Sequence, residues 1–321
     1  MIALFAGLVA VGIALPRLLR LDRAPPGLAI VIWASSLATR ALAALCAVAA
    51  LILLLPRTDV FITLTHWCWH VLAPFMGTTT PLDGHRVGDA VVSLPGLLVL
   101  GSLLSVTWGI VQSLRSVHGL IALGSLGDGP QGALIVGGSE VVLAAIGVRR
   151  PRVIVSVGAL TALDDEELAA GLAHERAHLE HRHLAVLVFA ELCRGPARFL
   201  PGTRRAVDQL RFHMERDADQ WAISHRHDRL ALASAICKAA TGRSGAPTGL
   251  AQLGATGVRE RLEQLLEAEH APSARSVSRA LRAVALGMIL GVLVAAALAP
   301  ATAVAAAERL GPRDATEHCH R

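Results

Sequence analysis

The chain reads as an α-helical membrane protein that carries one α+β domain. Three observations point there. The composition is apolar, with 53% hydrophobic and 17% charged residues and a mean hydropathy of +0.53. Several apolar stretches are long, and the pentapeptide His174-Glu175-Arg176-Ala177-His178 sits in a segment of helical periodicity. A chain this apolar is not an ordinary soluble domain.

Four stretches approach the roughly 20 residues that cross a hydrocarbon core of about 30 Å. The first, Ile2 to Leu19, lacks a basic lead, and Arg17, Arg20 and Arg23 stand at or after its end. That is the pattern of an uncleaved anchor. The second runs from Gly27 to Pro56 with Arg40 inside it. The third, Ala90 to Leu114, has no charge, and the fourth, Ala283 to Ala307, follows Arg275, Arg279 and Arg282. Arg40 either faces a bundle interior or marks the end of a helix whose membrane part starts near Ala41. A free charge in hydrocarbon is costly, which favours the second.

Arginines that flank membrane spans mark the cytoplasmic side. This places the loop of Arg17 to Arg23 inside and the N-terminus outside. Residues 1–114 then hold three spans with an external loop over 57–89, and residues 115–282 form a cytoplasmic domain. Residues 283–307 are the fourth span and 308–321 a short external tail, in a multi-pass protein of the plasma membrane. The 30 basic residues and pI near 9.5 could suggest nucleic acid. Their place beside apolar segments makes topology the simpler reading, so the expected partner is the lipid bilayer and no direct nucleic-acid binding is expected.

Within residues 115–282 the pattern first turns to short β-rich runs, Ala133–Val136, Val141–Ala144 and Arg152–Val157, separated by glycines. These predict a small sheet against the motif helix, with an edge that an extended peptide can join; support for the helix alone is the plainer role. Residues 119–132 read as a flexible connector. Asp164, with Glu167 three residues on, predicts a capped helix start, and Leu168, Leu172 and Leu179 continue its period. The helix is expected to continue through His183 into an apolar run from Leu184 to Leu192, read as a core helix or an interfacial one. Gly195-Pro196 and Pro201-Gly202 then break the chain, and a polar helix runs from Thr203 to about His227.

Histidines four apart on a helix project from one face, roughly 6 Å apart along the axis. Both can reach one Zn²⁺ while the intervening glutamate meets a water whose pKa the metal lowers to about 7. His174 and His178 are therefore candidate ligands of one Zn²⁺ per chain, and Glu175 the candidate general base. With 14 histidines in the chain, a chance pair is the bland alternative. A catalytic zinc needs a third protein ligand. Glu215 on the later helix can supply it, and Asp219, one turn on, can accept a histidine ring N–H. His213, Asp217, His225 and His227 are rivals for the third position, and a solvated charged face is the plain alternative. The chain has no tyrosine, so His213 and Arg216 are the candidate oxyanion donors.

Ser156-x-Gly158-Ala159-Leu160, Leu163-Asp164-Asp165-Glu166-Glu167-Leu168, Ala173-His174-Glu175-x-Ala177-His178 and Glu215-x-x-Ala218-Asp219 together resemble the BlaR/MecR-type membrane metallopeptidases. They are more distantly similar to the HtpX-like membrane proteases, which share the minigluzincin helix pair. The likeness covers Val153 to about Ala222. It implies a cytoplasmic minigluzincin-type zinc endopeptidase, with zinc on His174, His178 and Glu215 and Glu175 as base. It also implies signal transduction that ends in loss of a winged-helix repressor, the expected protein substrate. The HtpX likeness implies quality control of membrane proteins instead. A non-catalytic scaffold is the reading from a different class. The best-known BlaR/MecR members carry an external penicillin-binding domain with a Ser-x-x-Lys nucleophile. Here Lys238 is the only lysine and Ala235 stands three before it, so the expectation is a short form without that sensor. External His66, Cys68, His70, His85, His318, Cys319 and His320 offer a disulfide or metal site for sensing. Trp67 and Trp69 read equally as an interfacial belt.

Overall fold

The computed structural model describes residues 2–19, 21–58, 84–147, 151–241, 258–267 and 275–309, together with Phe61, Thr63 and Trp67. Cys68, Cys319 and the histidines beside them lie outside the described residues. The fold is mostly helical, with one small sheet. Helices α1 (Ile2–Leu18), α2 (Pro26–Leu54) and α3 (Gly84–Gly124) come first, then strands β1 (Ser125–Asp128), β2 (Leu134–Val136), β3 (Leu143–Ile146) and β4 (Arg152–Ser156). Helices α4 (Val157–Ala162), α5 (Asp165–Glu180), α6 (His183–Ala197) and α7 (Thr203–Ser224) follow. The described chain ends with α8 (Arg229–Thr241), α9 (Val258–Glu267) and α10 (Arg275–Arg309).

Among the described residues, three helices are long and apolar enough to cross a membrane, over Pro26–Leu54, Val92–Ser113 and Arg279–Ala301. The first expected span is the 17-residue helix α1, about 26 Å long at 1.5 Å per residue. Pro26 opens α2 at a position where its missing N–H costs nothing. Helix α3 begins at Gly84, inside the expected 57–89 loop, and runs to Gly124, so a helix stands where a connector from Gly119 was expected. Ser102 on α3 donates to the Gly195 carbonyl of α6 at 2.7 Å. Gly195 and Pro196 sit inside α6 rather than ending it, and the chain turns at Pro201-Gly202, where Gly202 takes φ 82°.

The two halves of α2 have different surroundings. Ala29, Ile32, Trp33 and Leu37 are buried, joining Ala190 of α6, and Ala206, Leu210 and Met214 of α7, in one core. Beyond Ala41 the helix exposes Leu45, Leu51, Ile52 and Leu53. Arg40 lies at the junction, 1% exposed, donating to the Pro201 carbonyl at 2.8 Å and more weakly to the Ile13 carbonyl at 3.4 Å. The two sequence readings of Arg40 are thus not exclusive: it faces a protein interior, and the exposed apolar half of the helix begins beside it.

The sheet order is β1-β2-β4-β3, with β2 parallel to β4 and the other pairs antiparallel. β3 is an edge, shifted two residues from the expected run. Ser156 explains the shift. Its Oγ accepts the Val142 and Ala159 N–H groups and donates to the Glu140 carbonyl at 2.6 Å, so it caps α4 and pins the approach to β3. Gly158 lets these backbones meet: a Cβ there would lie 2.3 Å from the Ser139 oxygen. Val153, Val155, Leu163 and Leu172 form the core between sheet and α5.

Candidate metal centre and cleft

Helix α5 starts with a complete capping box. Asp164 Oδ1 accepts the Glu167 N–H and Glu167 Oε2 accepts the Asp164 N–H, each at 2.9 Å. Glu167 also takes Lys238 Nζ at 2.6 Å and Ser234 Oγ at 2.5 Å, both from α8. Lys238 first, then Ser234, hold its carboxyl down at about 2.

On α5, His174 Nε2 and His178 Nε2 stand 3.2 Å apart. From α7, Glu215 brings Oε2 to 3.4 Å from His174 Nε2 and Oε1 to 3.8 Å from His178 Nε2. Donors at about 2.0–2.1 Å from a tetrahedral zinc lie roughly 3.3 Å from one another. Glu215 turns one oxygen toward each histidine, and the three residues form a group that can hold a metal ion. Asp219, one turn beyond Glu215, sets Oδ1 2.8 Å from His174 Nδ1, a short but bent contact. It leaves Nε2 free for the centre.

The charges fit a cation as well. Glu175, Glu215 and Asp219 bring three carboxylates, against one guanidinium. Burial opposes a charge on His174, but Asp219 and Glu215 outweigh it and raise the ring to about 10. A proton is retained where a metal would otherwise balance the anions. His178 is carried down to about 3 by burial. Burial also opposes ionisation of Glu215, yet Arg261 and then His174 hold it far below the usual range. Glu175, pushed up to about 7 by burial, accepts the Ala145 N–H of β3 at 2.7 Å.

The guanidinium is Arg261 of α9, which the sequence reading missed. Its Nη1 reaches Glu215 Oε2 at 2.7 Å, while Nε and Nη2 clasp Asp219 at 2.9 and 2.7 Å. It is 4% exposed. The available signal was its spacing: Val258, Arg261, Leu262 and Leu265 share one helical face, and Leu265 is buried.

The other candidates are placed elsewhere. His213, two residues before Glu215, points roughly 200° away around the helix. It is fully buried, with Nδ1 3.2 Å from Arg216 Nη1, and burial lowers it to about 3. Neither His213 nor Arg216 lines the cleft, contrary to their expected role as oxyanion donors; the lining cations are Arg211 and Arg261. Asp217 likewise turns away from the centre and meets His181 and His183. His225 stacks on Trp221 at 3.8 Å, and His227 lies past the end of α7. α5 does not continue through His183: Arg182 takes φ 53° and ψ 37°, a left-handed break between α5 and α6.

A cleft of about 210 Å³ opens over the centre. One wall is the free edge of β3, with Leu143, Ala144 and Ala145. Leu184 and Leu187 of α6 and Leu232 and Ile236 of α8 make the others apolar.

Residues 138–202 match the family model described as peptidase family M48. No curated protein and no solved structure matches the chain. The match spans β3, β4 and the motif helix and stops before Glu215. With three apolar helices and a His/Glu group able to hold metal, it supports a membrane metallopeptidase similar to a family that is generally zinc-dependent.

Proposed function

We propose that the chain is a membrane zinc endopeptidase that cuts extended polypeptides on the cytoplasmic side. His174, His178 and Glu215 are the ligands of one Zn²⁺ and Glu175 is the general base. The observation that carries this is the convergence of three side chains, His174, His178 and Glu215, with polar atoms 3.2–3.8 Å apart beneath an open strand edge. When bound, zinc supplies Lewis-acid polarisation of the scissile carbonyl and a lowered water pKa. Glu175 would take a proton from water and return it to the leaving amine. Ala145 N–H aims that carboxylate, and Arg261 holds Glu215 and Asp219 in place behind the histidines. A substrate strand adds to β3, and the leucine walls favour apolar side chains beside the scissile bond.

The biological reading follows the first resemblance: cleavage that inactivates a winged-helix repressor in a signalling pathway. One observation favours the second, HtpX-like reading. Leu184 and Leu187 of the cleft belong to α6, which packs on the apolar helices α2 and α3, within reach of membrane-protein substrates.

Trapping separates the two. Cells carrying Glu175→Gln should accumulate uncut substrate: one soluble regulator under the signalling reading, a varied set of membrane proteins under the other. Purified wild type that lacks stoichiometric zinc, or that cuts no polypeptide once zinc-loaded, overturns the proposal.

A further inference from the structure

A second group of possible metal donors, His181, His183 and Asp217, lies beside the first. Its geometry assigns it another task. We infer that His183 and Asp217 are positioning residues that present His178 to the metal, and that this group is not a second metal site. The inference rests on the metal centre proposed above.

The left-handed residue Arg182 returns the chain so that His183, first residue of α6, lies against His178. The two rings meet edge to face, 4.9 Å between centroids, with Nδ1 to Nδ1 at 2.8 Å. Two ring nitrogens this close need one proton between them, with one nitrogen donating and the other accepting. His178 binds metal through Nε2, so its neutral ring carries the proton on Nδ1 and is the donor. His183 Nδ1 is then the acceptor, and the His183 proton resides on Nε2. That nitrogen is buried and 3.3 Å from Asp217 Oδ2, within ion-pair distance though out of line for a hydrogen bond as the side chains stand. Asp217 also meets His181 Nδ1 closely.

The two ligands are therefore oriented alike by one helix. Asp219 of α7 meets Nδ1 of His174 directly, whereas Asp217 reaches His178 through the His183 imidazole. A metal on His183 Nε2 would displace its proton to Nδ1, where it would face the Nδ1–H of His178 at 2.8 Å. The relay and a second metal compete for the same nitrogen.

The test uses the full chain in detergent, read by zinc affinity in chelator competition and by the visible spectrum of the Co²⁺-substituted protein. Wild type should bind one equivalent. His183→Leu should weaken zinc by about 10- to 100-fold, the usual cost of losing a ligand's outer partner, and shift the Co²⁺ bands. His183→Gln can accept from His178 and donate toward Asp217, so it should recover most of the affinity. Unchanged affinity and spectrum in His183→Leu overturns the relay. So does a second equivalent of zinc in wild type that His181→Ala removes. Where His183→Leu does not fold, Asp217→Leu against Asp217→Asn makes the same comparison, and equal affinities overturn the relay. Wild type that binds no zinc overturns the metal centre along with it, whereas zinc lost in His174→Ala but kept in His183→Leu overturns the relay alone.

Discussion

Arg261 sets the charge of the centre, and its worth depends on whether a cation is bound. It lies between buried Asp219 and the partly buried Glu215, and neither carboxylate has another cationic side chain at salt-bridge distance among the described residues, apart from His174 and His178. Removing one partner of a buried ion pair costs roughly 3–5 kcal/mol, because the other charge is stranded. Arg261→Leu should lower the thermal stability of the metal-free protein by that order, and less once zinc restores a counter-charge. Equal losses with and without zinc would contradict this. At the neighbouring residue the expectation reverses. Glu175→Gln keeps the ligands and should keep the zinc, while peptide cleavage falls by about 10²- to 10⁴-fold. Single residues were legible where chemistry fixes their spacing, as for His174, Glu175 and His178. Arg261 was not, because nothing local ties position 261 to a site on α5 and α7.

Elements were legible where their ends carry chemical signals. Asp164 and Glu167 announce α5, and the structure forms both reciprocal bonds. β4 is rich in Val and Ile and lies where the sequence put it. β1, Ser-Leu-Gly-Asp, has no β-branched residue and was missed, since pairing with β2 rather than propensity makes it a strand. The α5–α6 break was missed because an arginine, not a glycine, takes the left-handed turn. The cap of α5 also makes a pH prediction. Glu167 is depressed from 4.5 to about 2, so its bonds to Lys238, Ser234 and the Asp164 N–H contribute fully above about pH 4.5. The contribution is lost as pH falls through about 2. Thermal unfolding between pH 5 and 2 should show wild type losing more stability than Glu167→Gln, whose side chain does not titrate. Parallel curves would remove Glu167 from the acid response.

Over the whole molecule, the division between protein-buried and exposed apolar surface runs across helices rather than between them. The first half of α2 is core for α6 and α7, while its second half, like most of α3 and of α10 beyond Ala285, exposes leucines. Hydropathy could not distinguish these halves, because core and lipid select the same residues. The one internal mark was Arg40. It has no carboxylate within salt-bridge reach among the described residues and joins the Ile13 carbonyl of α1 to the Pro201 carbonyl before α7. The exposed Arg17 shares that second carbonyl at 3.3 Å. Charged hydrogen bonds contribute about 1.5–3 kcal/mol each, and these two bind α1 and α2 to the turn that launches the Glu215 helix. Arg40→Leu would fill the space but leave the Pro201 carbonyl to Arg17 alone. The expected result is a thermal unfolding temperature several degrees lower in detergent, with faster protease cutting in the 198–202 turn. Zinc content should follow, because α7 supplies Glu215. If Arg40→Leu unfolds like wild type while Arg17→Leu does not, the exposed arginine is the tie and the buried one only fills the junction.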